Sequence, residues 1–365
     1  MRRLTMKKAV PFLLALLLLS TLFLSACGGD DKTTTATTTT TTTTSEQTWE
    51  LKMAHSFPPQ SMLGQALELM AQEIGEETNG RVSITVYGGG SLLSADEFYD
   101  GVARGIADIG YGHPTDDYAR YGLLTAFSLP GLHWPTWPDL EVKNRVAWEL
   151  RDKYPIMQEK APDCIELIDL WMSPYVINST GPEIYEPSDM EGIRITASGF
   201  YVTIAEHLGA TPVNVPAADR YMAMERGTVD CSWDVYGGIW AMKLYEVGGV
   251  FHDDVDFGAA SALVIMNRET LESMPEDIQA VFYAQKDKAE RLAKIAYEEE
   301  MLMLLAAAED DPDQIFITPS DEQMALWDEA FMPLRDMWVE ELTERGWPAQ
   351  EFLDDMLRLK DEYTS

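Results

Sequence analysis

The sequence predicts an α/β protein built as two lobes. Three observations point there: a strand–helix–strand rhythm that occurs twice, a hydrophobic content of 46% with 10 Trp, 15 Tyr and 12 Phe, and a late Pro- and Gly-free helical stretch. At 365 residues the chain has the length of roughly two domains. Its apolar and aromatic content suffices for a buried core and argues against disorder. The 61 Asp and Glu against 27 Lys and Arg leave a formal charge of −34. A surface that acidic repels phosphate backbones, which excludes nucleic acid as a partner. Three Cys build neither a disulfide scaffold nor a four-thiolate zinc site.

The first element is an address. Met1–Lys8 is basic, Ala9–Leu24 is almost wholly apolar, and Ser25-Ala26-Cys27 follows. This is the pattern of a secretory signal over residues 1–26, whose 16-residue apolar stretch is too short for a membrane span of ~20 residues. Its removal takes away four basic residues and no acid, and deepens the charge to −38. Leu24-Ser25-Ala26-Cys27 resembles the lipobox of bacterial lipoproteins, which implies cleavage before Cys27 and lipidation of its thiol. Residues 27–48, with threonine at every position of 33–44 except Ala36, have nothing to bury. They read as a flexible tether with a typical reach of ~25 Å.

The body then opens with a strand at Leu51–Ala54 and the loop His55–Gln60. A helix over Met62–Thr78 carries Leu63, Ala66, Leu67, Met70 and Ile74 on one face, and Asn79-Gly80 stops it. Arg81–Tyr87 alternates as a strand. Ser94 and Glu97 have capping-box spacing before a short helix, and Ala107–Tyr111 is a third strand. After the loop 131–138 the same grammar returns: strands at Ile165–Trp171 and Ile193–Thr196, a helix at Tyr201–Leu208, a strand at Val213–Val215, a helix at Ala217–Glu225 and a strand at Val229–Trp233. Two such runs favour two lobes over one large sheet. From Asp277 to about Asp310 the residues predict one helix ~45 Å long, at 1.5 Å per residue.

No catalytic pattern stands out: there is no G-x-S-x-G elbow, Walker loop, H-E-x-x-H or G-x-G-x-x-G after a strand. The five His never sit at i, i+4, so no helical metal site is expected, and no cofactor. Cys164 and Cys231 are either a disulfide or two buried thiols, and the sequence leaves both open. Arg194 is singular. It lies mid-strand between Ile193 and Ile195, either on an exposed face or in a ligand crevice where its planar fork grips a carboxylate.

From about Trp49 to Tyr283 the chain resembles the DctP-type substrate-binding proteins of tripartite ATP-independent periplasmic (TRAP) transporters. The resemblance rests on Leu51–Ser56 with Pro58-Pro59, on Thr78–Val82, on Ala107–Gly110, on S-D-M-E-G-I-R-I at 188–195 and on L-G-A-T-P-V-N-V-P-A-A-D-R-Y-M-A-M-E-R-G-T-V-D at 208–230. It implies a two-lobed fold like that of type II periplasmic binding proteins, with a hinge cleft and a long helix bridging the lobes. Residues 49–171 with about 260–299 would form the first lobe, and about 172–259 with 300–365 the second. It further implies a small organic acid held in the cleft and passed to an ion-driven TRAP permease. Arg194 falls on the family's carboxylate-binding arginine, and Asp234 where many members have a contacting Asn. His55, Ser56 and His113 lie in pocket-lining loops, Trp171 and Trp233 at strand ends, and Tyr236 just beyond. With no Arg from Trp171 to Asn178, a monocarboxylate with hydroxyl, keto, amino or aromatic groups is favoured over a plain dicarboxylate. The leading expectation is therefore a non-catalytic receptor tethered through Cys27 outside the cytoplasmic membrane. An ATP-driven importer's receptor, a sensor component and a tethered hydrolase are the alternatives.

Overall fold

The computed structural model describes residues 47–134, 141–252, 254–288, 291, 299–309 and 311–364. The expected signal, Cys27, nearly all of the tether, and positions 135–138 of the loop lie outside these residues. No helix among the described residues is long and apolar enough to cross a membrane.

Among the described residues, eleven strands form two sheets. The first contains β1 (Trp49–Ala54), β2 (Val82–Tyr87), β3 (Ile109–Gly112), β4 (Cys164–Pro174) and β10 (Ala259–Asn267), ordered β2-β1-β3-β10-β4. The second contains β5 (Val176–Ser179), β6 (Arg194–Thr196), β7 (Thr211–Val213), β8 (Cys231–Asp234), β9 (Val250–His252) and β11 (Ile315–Phe316), ordered β11-β9-β5-β8-β6-β7. The predicted βαβ unit is real: β1 and β2 pair in parallel, and α1 (Met62–Glu77) connects them. Ser61 caps α1 by accepting from the Gly64 N–H at 3.1 Å, and the expected apolar face is buried. That face packs on Leu51, Met53, Val82 and Ile109. The Ser94–Glu97 capping box also forms, opening a 3₁₀ turn that runs into α2 (Phe98–Ala103).

Strand β10 is not among those the sequence predicts. All nine of its residues are buried between β3 and β4, both antiparallel to it. A strand covered on both faces carries no polar–apolar alternation to reveal it.

The chain crosses between the sheets twice at close quarters. β4 leads through Tyr175 into β5, and β9 leads through Gly258 into β10. The Tyr175 N–H donates to the Gly258 carbonyl at 2.9 Å and joins the two crossings. Gly258 has φ +92°, and a Cβ there would lie 2.1 Å from the Ser128 carbonyl oxygen, so only glycine fits.

The single long helix expected from Asp277 is interrupted. α5 (Glu276–Tyr283) tightens into a 3₁₀ stretch at Ala284–Lys288, and α6 (Glu299–Glu309) follows, with most of the intervening residues outside the description. Ile278 and Phe282 of α5 pack in the first sheet's cluster, whereas Leu304 of α6 packs with Ile239 and Leu244 in the second's. The C-terminal helices α7 (Asp321–Glu344) and α8 (Ala349–Thr364), expected with the second lobe, share a core with Leu123, Phe127 and Tyr154. Trp338 Nε1 donates to Thr125 Oγ1 at 2.8 Å, and Trp327 Nε1 to the Tyr185 carbonyl at 3.0 Å. Cys164 and Cys231 open strands in different sheets and are free. Burial pushes both thiols up to about 12.

Candidate functional site

In an open parallel sheet the ligand crevice lies at the carboxyl ends of the strands. Strands β6, β7 and β8 run in parallel, so this edge is set by Thr196, by the loop after Val213 and by Asp234. Across from it stand Ser56 after β1 and His113 after β3. A cavity of about 430 Å³ opens between the two sides. A broader hollow of about 640 Å³ over α1 and β2 is an open surface depression without converging charges.

Asp234 and Arg220 form the charged wall of the cavity. Arg220 opens α3 (Arg220–Glu225), where its Nε donates to the Val215 carbonyl at 3.3 Å and its Nη1 to Asp234 Oδ2. Asp234 Oδ1 accepts from the Val235 N–H at 3.1 Å. Burial raises the Asp234 carboxyl above its ordinary value, and the Arg220 guanidinium opposes that rise. Within α4 (Tyr236–Ala241), a Cβ at Gly238 would lie 2.1 Å from Asp234 Oδ1, so this glycine makes room for the carboxylate. Among the described residues, Arg220 is the one Lys or Arg on the cavity wall.

Thr196 holds the neighbouring strand end: its Oγ1 accepts from the Trp233 N–H at 3.1 Å and lies 3.3 Å from Ser232 Oγ. The Trp233 indole meets Tyr201 edge-on at 5.1 Å and Phe257 at 5.6 Å. His113 Nδ1 lies 2.6 Å from the Ser261 carbonyl. A carbonyl only accepts, so Nδ1 carries a proton and Nε2 is the nitrogen left for a ligand. Asp116 accepts from Ser198 Oγ at 3.2 Å, joining the two sides of the cleft.

Of the residues expected at the site, Ser56, His113, Trp233 and Asp234 do line this cavity. His55 sits behind Ser56 and is 2% exposed. Its ring packs so closely on Gly88 that a Cβ there would lie 2.8 Å from Cε1. Burial lowers its pKa to about 4, partly offset by the Phe57 backbone. Tyr236 is buried in the second sheet's cluster with Val176, Met224 and Ile239. Trp171 does not end its strand, since β4 runs on to Pro174; it pairs in register with Ser261 of β10, and its side chain lies outside the description.

Arg194 requires a correction. It opens β6 rather than lying mid-strand, two residues and ~6.6 Å short of the crevice edge at Thr196. Its fork already holds a carboxylate: Nε donates to Asp230 Oδ2 at 2.9 Å, Nη2 to Oδ1 at 2.5 Å, and Nη1 to the Gly227 carbonyl at 2.6 Å. This ion pair lowers the Asp230 carboxyl and raises Arg194. The sequence reading passed over Arg220, Thr196 and Asp116. Arg220 was within reach, because it follows the loop after a predicted strand and so stands at a carboxyl edge.

Two α/β halves facing each other across a polar and aromatic cavity, joined by adjacent crossing strands, define an extracytoplasmic solute-binding receptor. The comparisons agree. The C4-dicarboxylate-binding periplasmic protein DctP of Rhodobacter capsulatus is 23% identical over 300 residues, covering 80% of this chain and 87% of that protein. A TRAP periplasmic solute-binding protein from Desulfovibrio salexigens, solved open with a symmetry mate's C-terminus in its ligand site, matches with a TM-score of 0.72 and 25% identity over 86% of this chain and 96% of that one. A TRAP solute-binding protein from Rhodoferax ferrireducens, solved with copurified benzoate, matches with a TM-score of 0.78 and 19% identity over 87% and 99%. The chain belongs to family 7 of the bacterial extracellular solute-binding proteins, DctP, which matches residues 53–341. That family consists of receptors rather than enzymes. Among the described residues no group of three His, Cys, Asp or Glu is placed to hold a metal.

Proposed function

We propose that the cavity binds a small organic acid through a single carboxylate on Arg220 and delivers it, chemically unchanged, to the membrane subunits of a TRAP permease. The observation that carries this reading is the position of Arg220, anchored by Val215 and Asp234 with further N–H donors remaining on its fork. Ser56, His113 and Trp233 are the neighbouring contacts, and Trp171 stands at the register position paired with Ser261. His55 and Tyr236 support the wall from behind. The relatives' ligands argue in the same direction, since C4-dicarboxylates, benzoate and a peptide C-terminus all present a carboxylate. One guanidinium favours one carboxylate. In this reading the protein is a lipoprotein held through Cys27, and the Thr-rich segment lets the receptor move beside the permease.

A thermal-shift screen against organic acids, followed by calorimetry, tests the proposal. A true ligand at 100 times its Kd stabilises by about 2.7 kcal/mol. Arg220→Gln is expected to weaken binding by about 2–5 kcal/mol, because a buried ligand carboxylate loses its partner. Unchanged affinity in that variant would refute the assignment. Loss of radiolabelled fatty-acid incorporation in Cys27→Ser checks the anchor.

A further inference from the structure

Three Asp residues line the cavity, Asp96, Asp116 and Asp234, against the single guanidinium of Arg220. A bare monoanion bound on Arg220 would share that fork with Asp234 and add a further negative charge to an already acidic, half-enclosed space. The aromatic side points the same way, since Tyr175 and Tyr201 line the cavity and their rings meet edge-on at 4.7 Å. Trp233 is 4% exposed on the cavity wall, and its indole N–H has no hydrogen-bond partner in the structure.

We infer that the receptor is built for a zwitterion: a small acid that carries an ammonium group close to its carboxylate. The carboxylate takes the remaining donors of Arg220 and the indole N–H of Trp233. The ammonium lies against Asp234 and Asp116, beside Tyr175 and Tyr201. Bound this way the ligand adds no net charge, and each of its charged ends meets an opposite charge already fixed in the wall. This rests on the organic-acid reading above and narrows it to amino-substituted acids.

Matched triples on one carbon skeleton provide the test: an amino acid, its 2-hydroxy analogue and the unsubstituted acid, over aliphatic, aromatic and cyclic skeletons, titrated calorimetrically into the full chain at pH 7. On the best skeleton the amino member is expected to bind at least tenfold tighter than either analogue. Asp234→Asn should invert that order, weakening the amino member at least tenfold and tightening the unsubstituted acid. An unsubstituted or hydroxy acid that matches the amino acid in the wild type overturns the inference and leaves the organic-acid reading standing. So does a variant that weakens all three members equally. No binding by any triple, with Arg220→Gln indistinguishable from wild type, would overturn the organic-acid reading itself.

Discussion

Replacing Arg220 by Gln removes the cation from a pair whose side chains are only 21% and 8% exposed. Leaving Asp234 ionised without its partner costs about 3–5 kcal/mol. The carboxyl has an alternative, which is to take up a proton. From an unfolded pKa of about 3.9, that costs about 4 kcal/mol at pH 7 and about 1.5 kcal/mol at pH 5. The variant therefore follows whichever route costs less. In it, the folded state holds Asp234 protonated more tightly than the unfolded state does. The destabilisation should be nearly absent below pH 4 and grow by about 1.4 kcal/mol per pH unit above it, up to the cost of the bare charge. Urea unfolding at pH 5, 6 and 7 measures this, with Arg220→Gln/Asp234→Asn as the reference that lacks the carboxyl. A penalty for Arg220→Gln that is the same at pH 5 and 7, or under about 1 kcal/mol at pH 7, would show that water reaches Asp234 and would undo the argument.

Arg194→Gln should leave ligand affinity within about twofold of wild type by calorimetry, because its fork is spent on Asp230. His55 is buried and its pKa is depressed to about 4, so it stabilises the fold when neutral. That contribution, roughly 3 kcal/mol, should be lost as pH falls from about 6.5 towards 4, and His55→Asn should flatten this part of the stability–pH profile. Gly199 has φ +54°, and a Cβ there would lie 1.8 Å from the Thr115 carbonyl oxygen. Gly199→Ala should therefore cost at least 1–3 kcal/mol in denaturant unfolding, whereas Gly181→Ala, in open space, should be near neutral.

The parts of the fold that announce themselves locally were legible. α1 shows its buried stripe, its Ser61 cap and its Asn79-Gly80 stop within 20 residues, and Ser94 and Glu97 close their capping box as spaced. β10 was silent, because a strand buried on both faces has nothing to alternate. The stretch from Ala284 keeps a helical composition while its geometry tightens to 3₁₀, a difference that residue types do not encode. At the site, alternation set the face of Arg194 but not its end of the strand. That end depends on the direction of β8 and on Asp230, which sits 36 residues further on. His55 is covered by Pro59 and Gly88, and Gly88 reaches it only once β1 and β2 pair.

The bond between Tyr175 and Gly258 joins two straps side by side where each passes from one sheet to the other. Two straps bonded side by side favour bending about the line through them over torsion. Ala95 and Ala218 both line the cleft, so their separation would report on that bend. Dyes at those two positions would make the protein an optical gauge of occupancy. In the proposed role, such a bend would let a membrane partner sort loaded receptors from empty ones by outline alone, without touching the cargo.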